Sequence, residues 1–349
     1  MSVTVLFAIG LLMIAGVMMA CSVVPMKYAT KWRWENIWLL YVAFGQVVFP
    51  VILVALTVPN AWEVFGVASK SALASALLFG LGWGVGNVLA GIGYAMLGVG
   101  LGLSVNLGLT ASTGSLVPLA VLFPARLISS SAVALYVGVG TMLGGLILSA
   151  QAGRLRQARQ APDQITSGAD VKAFGRGNIR TGLIVCVAAG FLSSMLNLSF
   201  AFGDNVRVTA LRLGASAPGA VNTLWLPILI SGFLPTLFYC AFLLSKNKSW
   251  SAFVAPRVGS HWWIAVLMGL LFLGALSFYG IASVRLGAMG PVLGFPIFMS
   301  TIVLTGNTAG IITGEWRGAP KNSYVYWFVG MLLLVLSIVI IGIGNSRGG

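Results

Sequence analysis

Acidic side chains are scarce in this chain: 349 residues hold six Asp and Glu, and all charged residues together make up 7%. An ordinary soluble domain carries roughly a quarter charged residues, so a normal water-facing surface is excluded. Histidine is nearly absent as well, with His261 alone at a predicted helix start. No metal-binding His pair or pair of carboxylates falls inside an apolar stretch, so the usual constellations of acid–base or metal-assisted enzymes are missing and no cofactor or metal is expected. Gly82-Trp83-Gly84-Val85-Gly86 lies within an apolar helix instead of following a strand, so it is not a phosphate loop. No P-loop occurs elsewhere, which argues against ATP-driven pumping by this chain alone. The three cysteines, Cys21, Cys186 and Cys240, all sit in apolar stretches and form no disulfide framework.

What the chain has in abundance is long apolar sequence, with hydrophobic residues at 58% and 45 glycines. A bilayer core about 30 Å thick needs roughly 20 apolar residues per helix. Ten stretches of that kind are predicted, at 3–25, 37–58, 73–96, 100–123, 131–150, 181–202, 219–244, 262–284, 288–313 and 323–345. Gly98 and the Leu286-Gly287 pair mark two very short turns. The first stretch has no basic residue before Lys27, unlike the positive start of a signal peptide, and reads as an uncleaved span. The fold class is therefore all-α, a polytopic membrane protein whose solvent is the lipid bilayer.

A net charge of +14 suggests nucleic acid at first, but the basic residues sit in loops, with no basic stripe of interleaved aromatics. Nucleic acid is not expected as a partner. Fourteen of the 20 Lys and Arg fall in the loops after odd-numbered spans. Cytoplasmic loops carry such an excess, which places both termini outside and the basic linker 151–180 in the cytoplasm. That linker separates a first half, 1–150, from a second, 181–349. Five spans per half is an odd number, so related halves enter the membrane from opposite faces and form a 5+5 inverted repeat. The four-residue glycine intervals, such as Gly80/Gly84, Gly82/Gly86 and Gly290/Gly294, suit close helix packing. Pro227, Pro235, Pro291 and Pro296 mark predicted kinks.

Uncharged polar residues within the spans carry the functional signal. Gln46, Asn87, Asn106, Asn197, Asn222 and Asn307 each bring an amide that lipid cannot satisfy, and Thr110, Ser112, Thr113 and Ser115 cluster in span four. Trp83 shares a helix face with Asn87, as Trp225 does with Asn222. Amides for hydroxyl groups beside aromatic faces for apolar ring surfaces suit a small polyhydroxylated ligand. Trp83, Asn87, Asn106, Asn197, Asn222, Trp225 and Tyr279 are the expected lining of a central cavity. Interhelical hydrogen bonding is the other role open to each amide. Proton coupling needs a titratable group, and Glu35, Asp204 and Glu315 are the carboxylates nearest the membrane. They are the candidates for coupling or gating, although a Trp-flanked Glu35 also reads as an interfacial anchor.

Several motifs resemble those of the L-rhamnose–proton symporter family. Ala20-Cys21-Ser22-Val23-Val24-Pro25-Met26-Lys27, then Lys31-Trp32-Arg33-Trp34-Glu35-Asn36-Ile37-Trp38, are similar to that family's opening. Further matches are Leu78-Phe79-Gly80-Leu81-Gly82-Trp83-Gly84-Val85-Gly86-Asn87, Gly314-Glu315-Trp316 and Ile341-Gly342-Ile343-Gly344. The chain departs from the family at 269–279, which is more aliphatic, and at 285–295, which lacks the family's histidine and carboxylate. The resemblance implies the drug/metabolite transporter superfamily, a location in the cell (inner) membrane, a sugar such as L-rhamnose as substrate and a proton as coupling cation, moved by alternating access. The alternatives are a facilitator or exporter of another small metabolite, or a non-transporting membrane sensor or assembly protein.

Overall fold

A computed structural model describes residues 3–157, 179–314 and 316–347. Most of the basic linker and the candidate Glu315 therefore lie outside the described residues. The described chain is helical throughout, with no strand: α1 (Val3–Ser22), α2 (Trp34–Ala43), α3 (Phe49–Thr57), α4 (Ala61–Val67), α5 (Lys70–Leu97), α6 (Val99–Leu122) and α7 (Ser130–Gln157) come first. After the linker follow α8 (Ile179–Ser193), α9 (Met195–Phe202), α10 (Asp204–Arg212), α11 (Ala217–Lys246), α12 (Gly259–Arg285), α13 (Gly290–Ile312) and α14 (Lys321–Arg347). These elements make ten helical segments long and apolar enough to cross a membrane. In hydrocarbon each backbone N–H and C=O needs an internal partner, and a helix supplies one locally.

The outer surface confirms which solvent the fold is built for. Leu56, Ile128, Ile184, Phe238 and Phe242 are all more than half exposed, a density of apolar contact surface that water would not tolerate. The protein is a multi-pass membrane protein.

Local sequence explains the element ends. Both predicted short turns are real, and each uses glycine at positive φ, +83° at Gly98 and +83° at Gly287, where a side chain would be strained. Ser216 caps α11 by accepting the Gly219 N–H at 3.2 Å, with a proline in the first turn. Span two is one helix from Trp34 to Thr57 interrupted by a π-helical turn at Phe44–Val48. Pro50 accounts for the interruption, because it lacks the N–H that would bond the Gln46 carbonyl and its ring crowds that oxygen. Span two begins at Trp34, three residues before the expected start, which draws Glu35 into the helix. α7 continues to Gln157, beyond the expected end of span five. Span six is longer than expected and broken, at Ser194 between α8 and α9 and at Gly203 between α9 and α10.

Helix pairing repeats with an offset of five spans. The first span, α1, packs on α12 and α13; the sixth, α8, packs on α5 and α6. The fifth and tenth spans, α7 and α14, pack on each other. Small residues permit the closest approaches. A Cβ on Gly84 would lie 2.2 Å from the Gly232 carbonyl oxygen, and one on Gly80 2.5 Å from that of Ile228, so α5 and α11 meet backbone to backbone. Gly86 abuts Ser193 of α8 in the same way.

Candidate functional site

The middle of the bundle is organised by one proline. Pro118 stands inside α6 and has no N–H for the carbonyl four residues earlier, that of Gly114. The fully buried Asn197 on α9 fills the vacancy, donating from Nδ2 to Gly114 O at 2.7 Å and also to Pro291 O of α13 at 2.9 Å. Its Oδ1 accepts from the Tyr279 hydroxyl of α12. A single amide thus ties four helices together, directly beside the break in span six.

Aromatic rings surround this knot. Trp225 of α11 stacks on Phe200 of α9, with centroids 4.8 Å apart and planes 26° apart. Tyr279 lies 4.9 Å from Phe298 and 6.0 Å from Phe295, both on α13. Gly280 allows this packing, since a Cβ there would come 2.9 Å from Trp225 Nε1 and 3.2 Å from the Phe200 ring. Trp225 is fully buried, and its Nε1–H has no hydrogen-bond partner among the described residues. One turn earlier, Asn222 Oδ1 accepts from Ser277 Oγ of α12 at 2.7 Å.

Of the seven expected cavity residues, Asn197, Asn222, Trp225 and Tyr279 therefore converge on α9, α11 and α12. Trp83 lies nearby, buried against Gly232 and stacked at 6.3 Å on Phe272, two turns before Tyr279 on α12. Asn106 is buried where α6 meets Gly190 of α8, and its Nδ2 lacks a partner among the described residues. Asn87 is half-buried. Neither belongs to the aromatic knot. Asn307 turns back on its own helix, donating to Val303 O at 3.0 Å. Gln46 is buried in the π-turn, with Oε1 unpartnered among the described residues.

Phe200, Ser277, Phe295 and Phe298 escaped the sequence reading. Phenylalanines in a lipid-facing chain look alike whichever way they point. The signal available was the Gly114/Pro118 spacing, which announces a free carbonyl inside a buried helix.

The three carboxylate candidates have different fates. Asp204 is held by Arg207 in a two-point ion pair, at 2.5 and 2.8 Å, within the first turn of α10. Glu315 lies outside the described residues. Glu35 is only 2% exposed, in the first turn of α2. Its Oε1 accepts from Asn247 Nδ2 at 2.9 Å and from Ser249 Oγ at 3.0 Å. The surrounding segment is sewn onto the same α11–α12 connection: Asn36 Nδ2 donates to Ser249 O at 2.9 Å and Trp32 Nε1 to Ala252 O at 2.9 Å. The backbone N–H of Lys31 donates to His261 Nε2 at 3.2 Å.

Comparison with known proteins agrees with this architecture. The family described as L-rhamnose-proton symport protein (RhaT) matches residues 1–347. The chain is 25% identical over 335 residues to the L-rhamnose-proton symporter of Escherichia coli O1:K1 / APEC, covering 94% of each chain. It is likewise 25% identical, over 94% of each chain, to that of Shigella boydii serotype 18 (strain CDC 3083-94 / BS512). A match across nearly the whole length, in a bundle with ten membrane-spanning segments, shows that this chain belongs to the L-rhamnose-proton symport protein family, a family of transporters and not of enzymes.

Proposed function

We propose that this protein is a secondary active transporter that moves a small sugar, L-rhamnose, together with protons by alternating access. The observation that carries the reading is the knot around Asn197, Asn222, Trp225 and Tyr279. It combines amides and a tyrosine hydroxyl with stacked aromatic faces at an interrupted helix, the equipment for a polyhydroxylated ring with one apolar face. In this reading Trp83, Asn87 and Asn106 complete the route to that site. The unpartnered N–H groups of Trp225 and Asn106 supply donors for sugar hydroxyls when the bundle rocks open.

Two related halves, 1–150 and 181–349, joined by a basic cytoplasmic linker at 151–180, fit the pairing offset of five spans. The excess of Lys and Arg on one side supports an orientation with both termini outside the cytoplasm, and membership of a symporter family supports the inner membrane as its location. Glu35 and the α11–α12 connection then lie at the cytoplasmic end.

Ligand-induced stabilisation tests the sugar assignment without any gradient. L-rhamnose at about 100 times its Kd stabilises the purified protein by about 2.7 kcal/mol, and D-glucose at the same concentration does not. An unchanged melting temperature in saturating L-rhamnose would move the substrate to another metabolite.

A further inference from the structure

We infer that Glu35 is the protonatable latch of the cytoplasmic gate, an inference that rests on the proton-coupled transport proposed above. Among the described residues it is the one buried carboxylate: Glu63 is exposed on α4, and Asp204 is neutralised by Arg207. No cation pairs with Glu35 among the described residues. Both donors that hold it, Asn247 Nδ2 and Ser249 Oγ, are neutral, and both belong to the connection between α11 and α12. α11 and α12 carry Asn222, Trp225, Ser277 and Tyr279, so the latch grips the two helices that supply much of the proposed sugar site.

The titratable groups facing Glu35 from α11 are the Tyr239 hydroxyl and the Cys240 thiol. Lys31 is directed elsewhere, with Nζ on Pro256 O at 3.3 Å, and His261 is engaged by the Lys31 backbone. A buried carboxylate without a cation is costly as an anion. Two hydrogen-bond donors and the start of a helix favour the same anion. A proton added to Glu35 therefore strands no counter-charge beside it, as it would in a salt bridge.

Hydrogen bonds to an ionised acceptor are about twice as strong as neutral ones. The carboxylate therefore holds the α11–α12 connection firmly against α2. When a hydronium ion that entered with the sugar from the outer side gives its proton to a Glu35 oxygen, leaving water, the grip weakens and the cytoplasmic end opens. When that O–H bond breaks, the proton passes to cytoplasmic water, and the carboxylate restores the latch. No electron transfer is involved.

Hydrogen exchange of the segment 247–258 tests the latch without any sugar. In the wild type, protection corrected for intrinsic exchange is higher at alkaline than at acidic pH. In Glu35→Gln it is low at both, and in Glu35→Asp the pH response persists. Identical pH responses in wild type and Glu35→Gln would overturn the latch. A second variant covers misfolding of the first: Asn247→Ala with Ser249→Ala keeps Glu35 but lowers protection at alkaline pH to the acidic level, and unchanged protection there also overturns it. In proteoliposomes, Glu35→Gln equilibrates labelled L-rhamnose by counterflow within about twofold of wild type but no longer concentrates it. Concentrative uptake by Glu35→Gln equal to wild type would contradict the inference. A wild type that moves no rhamnose instead rejects the sugar assignment, while the exchange data still decide the latch.

Discussion

Asn197 Nδ2 donates to the Gly114 carbonyl at 2.7 Å, the acceptor that Pro118 deprives of its helical donor. A defect in one helix is thereby converted into a bond between two. The same amide reaches Pro291 and receives the Tyr279 hydroxyl, so removing it takes a partner from three polar groups in a buried setting.

Asn197→Leu should lower stability by about 1–3 kcal/mol, the range for leaving buried partners unsatisfied. Asn307→Leu should have little effect, because among the described residues that side chain bonds only to its own helix. Thermal unfolding of the detergent-purified proteins separates the two. Equal losses would mean that the interhelical knot adds nothing beyond local packing.

Gly84→Ala places a methyl group 2.2 Å from the Gly232 carbonyl oxygen and must push α5 and α11 apart, at a cost of about 1–3 kcal/mol or more. Gly91→Ala meets nothing within 4 Å and should be neutral. Size-exclusion profiles and melting temperatures report the contrast. A Gly84→Ala protein as stable as wild type would refute the backbone-to-backbone approach.

The extent to which the sequence announces this structure depends on distance along the chain. Spans were legible because each stretch near 20 residues carries its own signal of apolar length. The turns at Gly98 and Gly287 were legible because glycine is the residue that takes positive φ cheaply. The break of span six at Ser194 and Gly203 was not, since neither residue prevents a helix by itself. The burial of Glu35 was equally invisible: the nearby Trp32 and Trp34 suggested an interfacial anchor, and its partner Asn247 lies 212 residues away. Asn222 and Trp225 were found by helical spacing, but their companion Ser277 belongs to another helix.

Trp225→Phe and Asn222→Ala probe the proposed sugar contacts. The first keeps a ring against Phe200 and deletes the orphaned N–H; the second deletes the amide and frees Ser277. Each should reduce kcat/KM for L-rhamnose roughly tenfold to a hundredfold, the equivalent of one lost ligand hydrogen bond at about 1–3 kcal/mol. Initial uptake rates measure it. Unaltered transport in both Asn222→Ala and Asn87→Ala would remove these amides from the site.

Single cysteines test the orientation in a background lacking Cys21, Cys186 and Cys240. Ser130→Cys, at the exposed start of α7, should react with an impermeant maleimide added to intact cells. Lys248→Cys, on the α11–α12 connection, should react only after the membrane is opened. The reverse pattern would invert the assignment drawn from the Lys and Arg excess.

Uptake of labelled L-rhamnose into proteoliposomes, with and without an imposed inward proton gradient, addresses the account most directly. Proton-coupled transport predicts accumulation above the external concentration with the gradient, and mere equilibration once the gradient is collapsed. Identical equilibration under both conditions would contradict proton coupling and leave a facilitator. Absence of uptake in correctly inserted protein would contradict rhamnose as the substrate.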